Sequence, residues 1–194
     1  MRSFIYLLAR ILAYFVFHIF FLIEIKGSQN FPKKGGFIVA SNHLSYLDPP
    51  VIGFACPRKL YYFAKPSLFN IKIFSSLIKI LGGIPIERIG SPLSLRKGLE
   101  ILKKGEGLVI FPEGTRSKNG EIKEAKKGVG FLIAKSKLPV IPVRLIGTDK
   151  ALPPDKKFIR LKKIKVIVGM PLYFEAENYY EISKSIMEII KNLK

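Results

Sequence analysis

The sequence predicts one α/β domain with a mixed, largely buried sheet flanked by helices, preceded by a hydrophobic N-terminal helix. Short apolar runs bounded by Gly, Pro or polar residues alternate with longer runs that place apolar residues every three or four positions, as strands alternating with helices do. The short runs are apolar at consecutive positions rather than at every second one, as in strands covered on both faces. The first 25 residues are also far more apolar than the rest. A chain of 194 residues fills one domain and not two. Residues 1–25 are therefore expected to form a membrane anchor and residues 26–194 the domain.

The anchor is read from Phe4–Ile23, FIYLLARILAYFVFHIFFLI, twenty residues without Gly or Pro and with one formal charge, Arg10. As a helix it is about 30 Å long, the thickness of a bilayer's hydrocarbon core. It is too long and Phe-rich for a secretory signal, and Ile23-Glu24-Ile25-Lys26 stands where such a signal has small residues for cleavage. Seven aromatics among the first 25 residues fit lipid better than a small core. Ser3, Tyr6, Arg10, Tyr14 and His18 fall on one stripe at helical spacing. Such a stripe serves a helix lying in the headgroup region or resting one side on protein. Spanning and interfacial placements both stay open.

Within the domain, strands are expected at Gly36–Ser41, Leu60–Ala64, Ile84–Ile86, Gly107–Phe111, Val140–Leu145 and Ile164–Val168. Helices are expected at Pro49–Ala55, with prolines in the first turn, Ile71–Leu81, closed by Gly82-Gly83, and Pro92–Lys104. Two more are expected at Val129–Lys135 and Asn178–Lys194, the last with Ile182, Ile186, Ile189, Ile190 and Leu193 on one face.

Lys and Arg number 33 against 14 Asp and Glu, a net charge of +19, which favours anionic partners. Beyond residue 25 the balance is 31 to 13 (33 − 2 and 14 − 1). That excess assigns the domain to the cytoplasmic face of the inner (plasma) membrane by the positive-inside rule. It also draws the domain to anionic headgroups, at roughly 1 kcal/mol per well-placed cation. Nucleic acid is not the expected partner, because the aromatics cluster in the anchor rather than among basic strands. A single cysteine, Cys56, excludes a disulfide framework and multi-cysteine metal sites, and two histidines leave little for a His-based one, so no metal is expected. Cys56 reads as a buried apolar residue and His18 as part of the anchor.

Three segments past strand or helix ends carry chemistry. In Asn42-His43-Leu44-Ser45-Tyr46-Leu47-Asp48 a loop can fold the carboxylate back onto one imidazole nitrogen and leave the other to take a proton. Asp48 ahead of Pro49-Pro50 is equally a helix cap and His43 a structural histidine, and the two roles can coexist with one oxygen for each. Phe111-Pro112-Glu113-Gly114-Thr115-Arg116-Ser117 follows a strand with a glycine, hydroxyls and a guanidinium suited to phosphate. There Glu113 fixes Arg116 or accepts from a glycerol-like hydroxyl. A solvated turn has the same composition, and the loop is no P-loop. Gly82-Gly83-Ile84-Pro85-Ile86-Glu87-Arg88 adds a second candidate clamp in Arg88, and Lys65 after the Leu60–Ala64 strand a third cation.

NHLSYLD, GGIPIER, FPEGTRS and Val140-Ile141-Pro142-Val143 stand in the order and spacing of the four motif blocks of the glycerolipid acyltransferases, which the chain resembles from about Lys26 to Thr148. The resemblance implies transfer of a fatty acyl group from a thioester of coenzyme A or acyl carrier protein to the free sn-2 hydroxyl of lysophosphatidic acid, giving phosphatidic acid. It requires no cofactor beyond that co-substrate. It implies His43 as general base and Asp48 as its orienter. Around the glycerol phosphate it implies Glu113, Gly114, Thr115 and Arg116, joined by Arg88 and Lys65, with Pro142 on the acyl side. The second block departs from the family in carrying Ile84-Pro85 where an aromatic is common, which bears on chain or headgroup preference rather than on chemistry.

Overall fold

The computed structural model describes residues 2–70, 72–117, 120–121, 123–153, 156, 158–175 and 178–194, with the backbone alone at residues 2, 3, 73 and 74. The side chain of Ser3 and the whole of Ile71, both used above, lie outside the described residues.

The strands are β1 (Glu24–Lys26), β2 (Phe37–Ser41), β3 (Leu60–Ala64), β4 (Gly83–Pro85), β5 (Gly107–Ile110), β6 (Val140–Ile146) and β7 (Lys165–Val168). They form one sheet in the order β1-β7-β6-β2-β5-β3-β4. The ladders are parallel except between β6 and β7, so the sheet is mixed, as the sequence predicts. The helices are α1 (Arg2–Phe21), α2 (Asp48–Ala55), α3 (Lys72–Ile80), α4 (Pro92–Lys103), α5 (Lys127–Ser136), α6 (Thr148–Ala151) and α7 (Tyr179–Asn192).

The continuous apolar runs are buried for the reason they suggested: each central strand is covered on both faces. All five residues of β2 and all four of β5 are buried. Phe37 and Val39 point into one cluster with Val51 and Ile52 of α2, while Ile38 and Ala40 point into the other with Leu102 of α4, Leu132 and Ile133 of α5, and Ile182 and Ile186 of α7. Each of these side chains larger than alanine contributes about 2 kcal/mol of transfer free energy. Local signals fix the helix starts. Ser91 caps α4 by accepting from the Ser94 N–H with Pro92 next in line, and Asn178 caps α7 by accepting from Tyr180 and Glu181.

The N-terminal helix is only partly what its composition predicts. Phe17 and Phe21 are buried members of the core cluster beneath α2, with Ala13 and Val16 packed beside them. Not all of the anchor's aromatics serve lipid, because a helix laid over the sheet supplies core with one flank. Arg10 donates from Nη1 to the carbonyls of Cys56 at 2.8 Å and Gly53 at 3.3 Å, closing the C-terminal end of α2 where carbonyls lack helical partners. The rings of Tyr14, Phe17 and His18 all approach Phe54 of α2. The other flank, including Phe4, Leu7, Leu8, Leu12, Phe15 and Ile19, is apolar and exposed.

Two short elements escaped the sequence pattern. In β1 two of three residues are charged, which suits the edge of a sheet and hides the strand. Its ladder with β7 begins at Glu24, so this strand lies across the expected boundary between residues 25 and 26. The four residues of α6 are too few to show periodicity.

Candidate active site

Strands β2, β3, β4 and β5 run parallel to one another, so the segments that follow them open on one edge of the sheet. That topology gathers His43, Lys65, Arg88 and the loop 111–117 on the same side. Asn42, the first residue past β2, ties this edge together. Its amide donates to the Leu145 carbonyl at 3.0 Å and accepts from the Leu145 N–H at 2.7 Å, locking the end of β2 to the end of β6. A buried amide at a strand end must find partners on both sides. That requirement is the sequence signal that could have singled Asn42 out.

The His43 imidazole is held from two directions. Its Nδ1 lies 2.8 Å from Asp48 Oδ2, and its ring stacks on Phe111 with centroids 4.0 Å apart and an interplanar angle of 18°. Opposite a carboxylate the imidazole carries its proton on Nδ1, so the Nε2 lone pair is left free. The histidine side chain is 18% exposed and that of Asp48 0%. The same Oδ2 also accepts from the N–H groups of Leu44 at 2.6 Å and Ser45 at 2.7 Å. The expected division of labour between two oxygens is therefore corrected. Asp48 is the first residue of α2 rather than its cap, and a single oxygen both folds the loop and orients His43, while Oδ1 is buried with no partner among the described residues. Ser45 adds a further tie, its hydroxyl donating to the Leu152 carbonyl at 2.7 Å.

The loop 111–117 is bonded to the histidine loop through backbone. Ser117 N–H donates to the His43 carbonyl at 2.8 Å, and the His43 N–H donates to Glu113 Oε1 at 2.9 Å. Glu113 Oε2 accepts from the Lys123 N–H at 3.4 Å. Glu113 as a whole is 3% exposed. The glutamate thus neither fixes the Arg116 side chain nor faces an open hydroxyl site; it joins two loops. Burial raises its carboxyl above the 4.5 of a free glutamate, opposed by the N–H groups of His43 and Lys123. Gly114 has φ +69°, a left-handed backbone that favours glycine, whereas a Cβ there would meet only the flexible end of the Lys126 side chain.

Arg116 lies with its Cζ 3.4 Å over the ring of Tyr46, a half-exposed residue between His43 and Asp48. Its Nη1 is buried and has no hydrogen-bond partner among the described residues. Tyr46 has no signal in the sequence, since its partner is seventy positions away. Thr115, Lys65 and Arg88 are exposed on the same edge. The turn after Arg88 is close to α5, where a Cβ on Gly128 would lie 3.5 Å from the Gly90 Cα.

Pro142 is not brought to these loops. It pairs in register with Ala40 inside the sheet, three residues before His43, and is buried. From Val143 to Val140 is three steps, while from their partners Val168 to Leu172 is four. Pro142 therefore sits opposite a one-residue bulge, where its missing N–H is tolerated. Among the described residues no three His, Cys, Asp or Glu side chains come together as a metal ion would need.

Comparison with known proteins gives the same region a family. The Acyltransferase family model matches residues 22–146. The chloroplastic 1-acyl-sn-glycerol-3-phosphate acyltransferase BAT2 of Brassica napus is 30% identical over 178 residues, covering 89% of this chain and 51% of the relative. The 1-acyl-sn-glycerol-3-phosphate acyltransferase of Bacillus subtilis is 29% identical over 153 residues, 78% of this chain and 74% of that one. The crystal structure of the 1-acyl-sn-glycerophosphate (LPA) acyltransferase PlsC from Thermotoga maritima superposes with a TM-score of 0.83 at 28% identity, over 98% of this chain and 78% of that chain. The chain spans about half the length of the Brassica relative.

Proposed function

The chain belongs to the acyltransferase family, and on that footing we propose that it acylates the free sn-2 hydroxyl of lysophosphatidic acid from an acyl thioester, giving phosphatidic acid. The names of the Brassica, Bacillus and Thermotoga relatives support that acceptor. The observation that carries the chemistry is the 2.8 Å contact of His43 Nδ1 with Asp48, which leaves Nε2 open on the edge shared with Arg116.

In the reaction, Nε2 takes the proton of the acceptor hydroxyl as its oxygen attacks the thioester carbonyl. Asp48 steadies the imidazolium that results. The tetrahedral intermediate then collapses, the C–S bond breaks, and the thiolate leaves with the proton returned by His43. Because a thioester is already activated, the acid–base pair suffices without a covalent acyl-enzyme. Arg116 meets the acceptor's phosphate through Nη1, which has no partner among the described residues, with Arg88 and Lys65 adding positive field. Coenzyme A and acyl carrier protein are both polyanions, and the charge of +19 suits either donor.

The acceptor's tail and the exposed apolar flank of α1 call for the same surroundings, a bilayer. One flank of α1 packs on α2 through Arg10, Tyr14 and Phe17, which supports a helix lying in the interface rather than across the bilayer. The cationic domain then faces the anionic cytoplasmic leaflet of the inner membrane.

The test is a mass-spectrometric assay of the purified protein on lysophosphatidic acid and other lysolipids, with both donor types. His43→Ala is expected to lose at least a hundredfold in turnover while sedimenting with vesicles as before. Retained turnover would sink the catalytic reading and leave a non-catalytic membrane adaptor of the same fold.

A further inference from the structure

The segment between α6 and β7 exposes apolar surface that a folded domain has no reason to leave in water. Phe158 is 83% exposed, Leu161 68% and Ile159 57%. Three large apolar side chains within four residues form a patch, and clusters of this kind mark contact surfaces, whereas single exposed apolar residues are ordinary. Basic residues interleave with them. From Lys156 to Lys165 the sequence holds six Lys or Arg and no Asp or Glu, and Arg160 and Lys162 are exposed beside the apolar trio.

The segment is pinned to the end of α1. The Ile164 N–H donates to the Phe21 carbonyl at 3.0 Å, and the Glu24 N–H donates to the Ile164 carbonyl at 2.9 Å. Lys163 Nζ reaches Glu24 at 2.8 Å. Its other end is fixed by the Arg160 N–H donating to the Ala151 carbonyl at 2.7 Å. Next to it the exposed flank of α1 ends in Ile19, Phe20 and Leu22. The two apolar surfaces are therefore neighbours held by backbone. The strand entered from this segment pairs Lys165 with Ile146, at the edge of the sheet that carries His43.

We propose that Phe158–Lys163 is a second membrane-inserting element, placing its apolar side chains among the acyl chains and its cations among anionic headgroups beside the end of α1. The proposal rests on the membrane reading of α1 given above and adds a second point of attachment to it. Apolar side chains alternating with cations match a phosphate-lined hydrocarbon surface. With two attachments the domain cannot pivot about the helix, and the catalytic edge is held at the lipid boundary. The Ser45 hydroxyl bonded to Leu152 links the histidine loop to the chain leading into this segment. An acceptor can then meet His43 without leaving the bilayer.

The chain contains no tryptophan, so single substitutions at exposed positions give clean reporters. Leu12→Trp reports on α1, Phe158→Trp on the segment, and Tyr173→Trp on the opposite edge of the sheet, where Leu172 meets the start of β6. Each full-length variant is mixed with vesicles of equal phosphatidylglycerol and phosphatidylcholine carrying brominated acyl chains. Quenching of the first two indoles and not the third is expected. Quenching at Leu12→Trp without quenching at Phe158→Trp overturns the proposal and leaves the anchor standing. No quenching at either overturns both, and equal quenching of all three overturns the proposal. Phe158→Ser with Leu161→Ser should in addition weaken partitioning onto these vesicles by about tenfold at unchanged circular dichroism; unchanged partitioning counts against the segment.

Discussion

Two neighbouring parts of the catalytic edge treat their polar groups differently. At His43 the imidazole, the Asp48 carboxylate and two loop N–H groups are already joined, and the ring is stacked on Phe111. At Arg116 the guanidinium rests on Tyr46 with a buried nitrogen unmatched among the described residues, and Arg88 and Lys65 are exposed. On the proposed function the first part handles a proton, which requires orientation fixed before reaction. On the same proposal the second handles a substrate anion, which requires donors not already taken by protein acceptors. Substitutions in the first part should therefore reduce turnover, and those in the second should reduce acceptor affinity.

The largest effect expected in breaking this contrast is at Asp48. In Asp48→Asn the carboxamide oxygen can take the place of Oδ2 and keep its three donors, while the amide nitrogen occupies the buried, unpartnered place of Oδ1. Turnover should fall by about a hundredfold or more through loss of the charge facing His43, with modest loss of stability. Asp48→Ala should lose similar turnover and in addition destabilise the fold by roughly 2–4 kcal/mol, because two buried backbone N–H groups lose their acceptor. Thermal melting and steady-state kinetics on both variants separate the roles. Wild-type turnover in a folded Asp48→Asn protein would assign the carboxylate to loop structure alone.

On the anion side, Arg116→Ala should raise the acceptor KM by roughly tenfold to a hundredfold, the value of a charged hydrogen-bonded contact, with the donor KM little changed. Tyr46→Leu removes the face beneath the guanidinium and keeps bulk. It should raise the acceptor KM several-fold in the same direction. Exposed Arg88 should matter less than Arg116 and more at low salt than at high salt. Equal changes in both KM values for Arg116→Ala would remove it from acceptor recognition.

Sequence spacing reached the His43–Asp48 pair because both ends of that contact lie in one short loop beside a strand whose apolar run is unambiguous. It also placed Arg116, Lys65 and Arg88 on a common edge, since parallel strands bring successive loops together. It misassigned Glu113, whose two N–H partners belong to residues at 43 and 123, a long-range pairing invisible to local pattern. Tyr46 under Arg116 is hidden for the same reason. The role of α1 was half legible: composition shows a lipid-facing helix, but only packing shows that Arg10 closes α2 and that Phe17 and Phe21 belong to the core. The charged edge strand β1 gave no pattern at all.

The smallest effect concerns Glu113, which belongs structurally to the first part yet stands in the loop of the second. Burial raises its carboxyl above 4.5 in the folded protein, so the folded state holds this proton to higher pH than the unfolded chain does. Its favourable contribution is then complete below about 4.5 and is lost as pH rises through the folded value. In Glu113→Gln that loss cannot occur, although the amide nitrogen facing the Lys123 N–H adds a constant penalty. The stability of Glu113→Gln relative to wild type should therefore increase with pH from the acid side towards neutrality, a trend that other titrating groups cannot supply because they are common to both proteins. Denaturant unfolding of the two proteins across that range measures it. A flat difference would mean that the His43 and Lys123 N–H groups fully offset the burial, and the bridge between the two loops would then be no weaker charged than neutral.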